Sequence, residues 1–175
     1  MRLQSILRLS VATIAAATAF ACSEGSSVTG PRTTSVDARF SHPPGDAGKK
    51  AKVATCVARH EDRQSARIGS NGGTLRIGNN TLVVPAGALS AEIEITGHVI
   101  PSHSARLEFS PSGLQFAIPA TLTMTYAKCL TPIFGVTVAY LQADTVTELE
   151  PSHNNPLRRT VSAAIRHFSS YAVAY

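Results

Sequence analysis

Beyond residue 50 the apolar and polar positions fall into short runs with turn residues between them. Residues 51–57 (AKVATCV) read as a first strand, followed by a charged connection over 60–64. Gly72-Gly73 breaks the chain, because glycine accepts the positive φ of a tight turn. Residues 74–77 (TLRI) alternate polar and apolar, the period of a half-buried strand. Gly78-Asn79-Asn80 is hairpin chemistry, and residues 81–84 (TLVV) make a buried strand stopped by Pro85. Residues 86–89 predict a single helical turn.

The same rhythm continues. Residues 92–100 (EIEITGHVI) set Ile93, Ile95 and Gly97 on one face and then lose strict alternation, which predicts a bulge at Gly97. Residues 106–109 form the next strand. Ser110-Pro111-Ser112-Gly113 is a turn with proline at its second position. Leu114, Phe116 and Ile118 alternate. After Pro119, Leu122, Met124 and Tyr126 share one face of a strand that Cys129 closes. Residues 136–141 and 146–149 pair around Ala143-Asp144, Asn154-Asn155-Pro156 turns the chain, and residues 160–168 and 170–175 end it. About nine or ten short strands at this spacing predict an all-β fold, an antiparallel β-sandwich over residues 51–175.

The N-terminus has a different pattern. Arg2 and Arg8 precede an apolar stretch of about thirteen residues, which is a signal-peptide length and too short to span a bilayer. Residues 1–21 are therefore read as a signal peptide. Its exit, Ala19-Phe20-Ala21-Cys22, has two readings. Ala19-x-Ala21 suits ordinary signal peptidase and a secreted or periplasmic product. The same residues resemble a bacterial lipobox, although Ala19 stands where leucine is usual. Residues 22–50 hold Ser, Thr, Pro and Gly with few large apolar side chains, the composition of a flexible linker.

Three cysteines, Cys22, Cys56 and Cys129, leave one thiol over in an exported chain. If Cys22 carries lipid, Cys56 and Cys129 remain to pair in an oxidising compartment; the other reading is two separate buried thiols. Ser23 after the cysteine favours the outer membrane over the inner one, by resemblance to Gram-negative lipoproteins.

Charge adds little. The formal charge of +5 includes Arg2 and Arg8; without them 14 basic residues face 11 acidic ones, or +3. That excess is too dispersed for nucleic acid, which calls for a clustered basic face and stacking aromatics. Lys49, Lys50 and Lys52 read as a solvated linker, with a weak attraction to anionic lipid as the lesser reading.

Several motifs then resemble one family. Gly72-Gly73-Thr74-Leu75 and Pro85-Ala86-Gly87-Ala88 are similar to the opening of the ZU-five domain, named after zonula occludens and the netrin receptor Unc-five. Phe109-Ser110-Pro111-Ser112-Gly113-Leu114-Gln115-Phe116, Pro119-Ala120-Thr121-Leu122 and His167-Phe168-Ser169-Ser170-Tyr171-Ala172-Val173 resemble its bacterial exported versions. The resemblance covers residues 66–175 and implies the same β-sandwich. Eukaryotic relatives scaffold receptors, cytoskeleton and death-domain assemblies, and those partners do not carry over, because fold does not fix function.

The resemblance also implies one candidate for chemistry. In some relatives a His-Phe-Ser triplet cuts its own backbone. Here the Ser169 hydroxyl would attack the Phe168 carbonyl, the amide would shift to an ester, and water would hydrolyse it, with His167 moving a proton. Backbone strain would supply part of the driving force. The plainer reading has His167 ending a strand, Phe168 filling the core and Ser169 turning the chain. Only seven residues follow the cut, so no domain would be released.

Other constellations are weaker. His98 and His103, with Pro101 between, match no zinc spacing. His42, His60 and His153 read as loop histidines. Glu92 and Glu94 read as a solvated edge; with Asp144 they would make a calcium site, but no calcium-loop spacing is present. No nucleotide-binding or hydrolase signature occurs. The expected function is a binding or structural module of the cell envelope, held to the membrane through Cys22, without metal or cofactor, and facing an envelope protein or glycan.

Overall fold

Period-two patterning dominates the chain after residue 54. In the computed structural model, which describes residues 51–175, it becomes thirteen strands, and no helix occurs among the described residues. The signal peptide, Cys22 and the 22–50 linker lie outside the described residues. The strands are β1 (Thr55–Cys56), β2 (Asp62–Ile68), β3 (Gly73–Ile77), β4 (Asn80–Val84), β5 (Ile93–Val99), β6 (Arg106–Ser110) and β7 (Gln115–Thr125). Then follow β8 (Cys129–Leu130), β9 (Thr137–Gln142), β10 (Thr145–Glu150), β11 (Ser152–Asn155), β12 (Thr160–His167) and β13 (Ser170–Ala174).

Every pairing is antiparallel. One sheet runs β10-β9-β13-β6-β5-β2, a second runs β11-β12-β7-β4-β3, and β1 and β8 form a two-stranded ribbon. The two large sheets bury their alternate apolar residues, among them Ile77, Leu82, Ile95, Leu107, Leu122, Met124, Val138, Ile165 and Tyr171. The architecture is the β-sandwich that the patterning predicts.

The differences from the sequence reading have local causes. The charged connection over 60–64 is largely β2. This strand lies at a sheet edge and pairs through its backbone to β5, so exposed Arg63, Gln64 and Arg67 cost it nothing. Residues 51–57 do not form one strand: Val53 bridges to Ala174, and only Thr55–Cys56 pairs in the ribbon. Residues 86–89 form no helical turn. Gly87 has φ +79° and donates to the Ser70 carbonyl at 2.8 Å, so the segment is a tight turn held against its neighbour.

No bulge occurs at Gly97, and its register with both neighbours is unbroken. Glycine is required there by packing, because a Cβ would stand 2.5 Å from Ile77 Cγ1. The irregularity lies instead on β7, where the register with β12 slips between Ala120 and Gln115, around Pro119, which has no N–H to give. Ile118 turns outward as a result. Pro111 opens its turn rather than taking the second position, since the Leu114 N–H reaches the Pro111 carbonyl at 3.4 Å, and the Ser110–Pro111 bond is cis. Asn154 and Asn155 belong to β11, and the turn is carried by residues 156–159, with Arg159 at φ +51°. Ala143 and Asp144, both at positive φ, do make the two-residue hairpin between β9 and β10.

Candidate functional site

The His-Phe-Ser triplet sits where the chain changes sheets. β12 ends at His167 in the five-stranded sheet, β13 begins at Ser170 in the six-stranded one, and Phe168-Ser169 is the crossing. Phe168 is buried, stacked on Phe109 with ring centroids 5.0 Å apart and edge-on to Phe116 at 5.0 Å. Its N–H donates to the Leu114 carbonyl at 2.8 Å, and its carbonyl accepts the Gly113 N–H at 3.1 Å. The Ser169 carbonyl accepts the Phe109 N–H at 3.1 Å. Residues 109–114 thus clasp the crossing from both sides, so two motifs far apart in sequence meet here. The Pro85-Ala86-Gly87-Ala88 turn is held farther along, on β7, its Ala88 carbonyl accepting the Ala117 N–H at 3.0 Å.

For self-cleavage the important groups are the Ser169 hydroxyl, the Phe168 carbonyl and a base. One N–H, from Gly113, already points at the carbonyl. The His167 ring faces Tyr140, edge-on at 5.0 Å, and Tyr171, stacked at 6.4 Å; among the described residues no hydrogen bond joins it to Ser169. Neither Phe168 nor Ser169 has a positive φ. The Tyr171 hydroxyl donates to the His167 carbonyl at 2.7 Å. Burial, helped by the nearby Glu150, Tyr140 and Glu148, lifts that phenol well above its usual range, so it stays a donor. Burial, then the Glu148 charge, also raises the Glu150 carboxyl above the usual carboxylate range, while His167 pulls it the other way.

The opposite end of the sandwich holds Cys56 and Cys129. They are cross-strand partners in the ribbon and form a disulfide. Arg159 braces this end: its guanidinium donates to the Cys129 carbonyl at 2.6 Å and lies over the Tyr126 ring at 5.1 Å, while its Nε is buried without a partner. Arg59, whose guanidinium is held below its usual pKa by burial, donates to the Thr125 carbonyl at 2.7 Å. Arg59, His60 and Lys128 line a cleft of about 200 Å³ with Asn79 and Asn80.

The remaining candidates do not converge. His98 bonds Glu61 at 2.8 Å and Arg63 at 3.2 Å, a surface chain across β2 and β5, while the His103 carbonyl accepts the Cys56 N–H at 2.7 Å. His60 is an exposed loop residue; His153 is exposed on β11 rather than in a loop; His42 lies outside the described residues. Glu92 lies 3.7 Å from Arg67 on an exposed edge, Glu94 is on β5, and Asp144 pairs with Arg106. Among the described residues no three His, Cys, Asp or Glu side chains gather as a metal site. Sequence reasoning missed the apolar residues at the disulfide end. The signal was Ile133-Phe134, an apolar pair inside a Pro132 and Gly135 loop.

Comparison with models of known protein families and with curated proteins gave no match.

Proposed function

We propose that this chain is an exported, lipid-anchored β-sandwich of the cell envelope that works as a binding module and has no conventional catalytic activity. The observation that carries the reading is the Cys56–Cys129 disulfide. It belongs to an oxidising compartment, and it leaves Cys22 as the one cysteine without a partner, behind a signal-like stretch. The meeting of residues 109–114 and 167–169 in space supports the ZU-five resemblance, because motifs read from separate stretches serve one structural junction. The anchor is placed at the outer membrane, and the module is assigned an envelope protein or a glycan as its partner.

Fractionation tests the reading. The wild-type chain should partition with the outer membrane, and Cys22→Ser should move to the soluble periplasmic fraction. A wild-type chain that is fully soluble would overturn it.

Self-processing at Phe168–Ser169 is the second reading, favoured by the single N–H that Gly113 directs at the Phe168 carbonyl. It has less support, since His167 is occupied by tyrosine rings rather than by Ser169. It predicts loss of residues 169–175 from the mature chain, prevented by Ser169→Ala. An intact C-terminus would remove it.

A further inference from the structure

The five most exposed large apolar side chains among the described residues are Leu157 at 97%, Phe134 at 79%, Leu130 at 77%, Ile133 at 67% and Val57 at 65%. All five lie at the disulfide end. Val57 follows β1, Leu130 ends β8, and Ile133 and Phe134 stand in the loop that follows the ribbon. Leu157 is on the β11–β12 turn, which Arg159 ties to the Cys129 carbonyl and Asn154 ties to the Ile133 carbonyl at 3.0 Å. Elsewhere the exposed apolar residues are single and less exposed, as with Ile118 at 46%. Scattered single residues are ordinary, whereas five at one end mark a contact surface.

Two observations say what covers it. The surrounding side-chain charge is basic: exposed Lys52, Lys128 and Arg158 accompany half-buried Arg59 and Arg159, and no Asp or Glu side chain lines the three clefts described at this end. Of the acids that follow Arg59 and His60 in the chain, Glu61 is bonded to His98, and Asp62 accepts the Gln64 amide at 2.9 Å. The chain also runs into this end. Lys52 and Tyr175 exchange backbone hydrogen bonds at 2.9 and 3.0 Å, and Tyr175 shares a cleft with Leu130, Pro132 and Arg159. Lys52, near the start of the described residues, therefore lies beside the patch. Apolar tips set among Lys and Arg match the interfacial zone of an anionic bilayer, where the tips enter the acyl boundary and the cations meet lipid phosphates.

We propose that the disulfide end is a seat for an anionic lipid bilayer: Leu130, Ile133, Phe134 and Leu157 dip into the interface, and Lys128, Arg158 and Lys52 bind headgroup phosphates. The proposal rests on the anchored reading above. It holds the domain against the membrane with the crossing at Phe168-Ser169 pointing away, toward a partner.

The test uses the full chain carrying Cys22→Ala, exported and purified without an acyl group. It is mixed with vesicles of phosphatidylglycerol and phosphatidylcholine, and with vesicles of phosphatidylcholine alone. The expected result is cosedimentation with the anionic vesicles, weakened by salt. Binding should fall about tenfold or more in Leu130→Ser/Phe134→Ser and in Lys128→Glu/Arg158→Glu, and should stay unchanged in Ile118→Ser. All these positions are exposed, so circular dichroism should show the fold kept in each variant. Equal binding to both vesicle types, no binding to either, or full binding by the patch variants overturns the proposal. Mass analysis of wild-type Cys22 separates the two ideas. A lipidated wild-type chain whose Cys22→Ala form ignores anionic vesicles sinks the seat and leaves the anchor. Selective binding by Cys22→Ala beside an unlipidated wild type supports the seat and sinks the anchor.

Discussion

Asn80 is the one polar residue among the fully buried side chains of the described domain, at 1% exposure. It begins β4, and its amide works in both directions. Nδ2 donates to the Ile77 carbonyl at 3.0 Å, closing the hairpin, and Oδ1 accepts the Thr125 N–H at 3.0 Å, tying that hairpin to the end of β7. Asn80→Asp keeps the shape and removes the donor. At neutral pH it sets a carboxylate oxygen against the Ile77 carbonyl without water. The lost hydrogen bond costs about 1 kcal/mol. Burial would raise the new carboxyl by roughly two units, which adds about 2.7 kcal/mol at pH 7. The total is about 3–4 kcal/mol, on the order of 10 °C in Tm for a domain of this size. The sign with pH follows from the raised folded-state value. The native form binds the proton more tightly, so stability is restored below the unfolded value near pH 4 and lost as pH rises through the folded one. Urea titrations of Asn80→Asp and wild type at about pH 4 and about pH 7 give the difference directly. A penalty that is the same at both pH values, or below about 0.5 kcal/mol at neutral pH, would refute the bidirectional role assigned to Asn80.

Gly97→Ala should destabilise by about 1–3 kcal/mol, because the new Cβ would meet Ile77 Cγ1 at 2.5 Å and Phe109 Cε1 at 3.3 Å. In a double-mutant cycle with Ile77→Ala the two losses should be less than additive, and strict additivity would show that Gly97 is not there for close packing. Cys56→Ser/Cys129→Ser should lower unfolding stability by on the order of 4 kcal/mol, since the bridge closes a sequence separation of 73; an unchanged urea midpoint would contradict this. Glu150→Gln should be more stable than wild type near pH 7, with the gap closing toward pH 4. Burial and Glu148 raise the native carboxyl, so its charge costs stability only as pH rises through the raised value. A gap that is constant with pH, or of opposite sign, would show that Glu150 is not desolvated.

The fold was legible where side chains reported their own burial. β3, β5 and the second half of β7 alternate in sequence and alternate in the sandwich, whereas β4, read as a buried strand, turns Val83 outward. β2 and β11 were not legible, because a charged or asparagine-rich edge strand pairs through backbone groups that carry no sequence signal. Gly97 shows the same limit from the other side. A break in apolar alternation marks either a bulge or a close neighbour, and Ile77, twenty residues away, decides between them. The disulfide followed from counting cysteines, and its cross-strand geometry did not. The triplet was visible as a motif, yet its place as a sheet crossing clasped by residues 109–114 depends on contacts more than fifty residues apart. The apolar end escaped notice because Val57, Leu130, Phe134 and Leu157 come from short separate segments with no period to link them.

The most direct test of the anchored-module reading is the intact mass of the mature wild-type chain, made with its own N-terminus and measured before and after reduction. The account predicts a chain that begins at Cys22 and carries a diacylglyceryl-sized increment, gains about two daltons on reduction of Cys56–Cys129 and still ends at Tyr175. An unmodified Cys22, with no added mass on the mature chain, would contradict it.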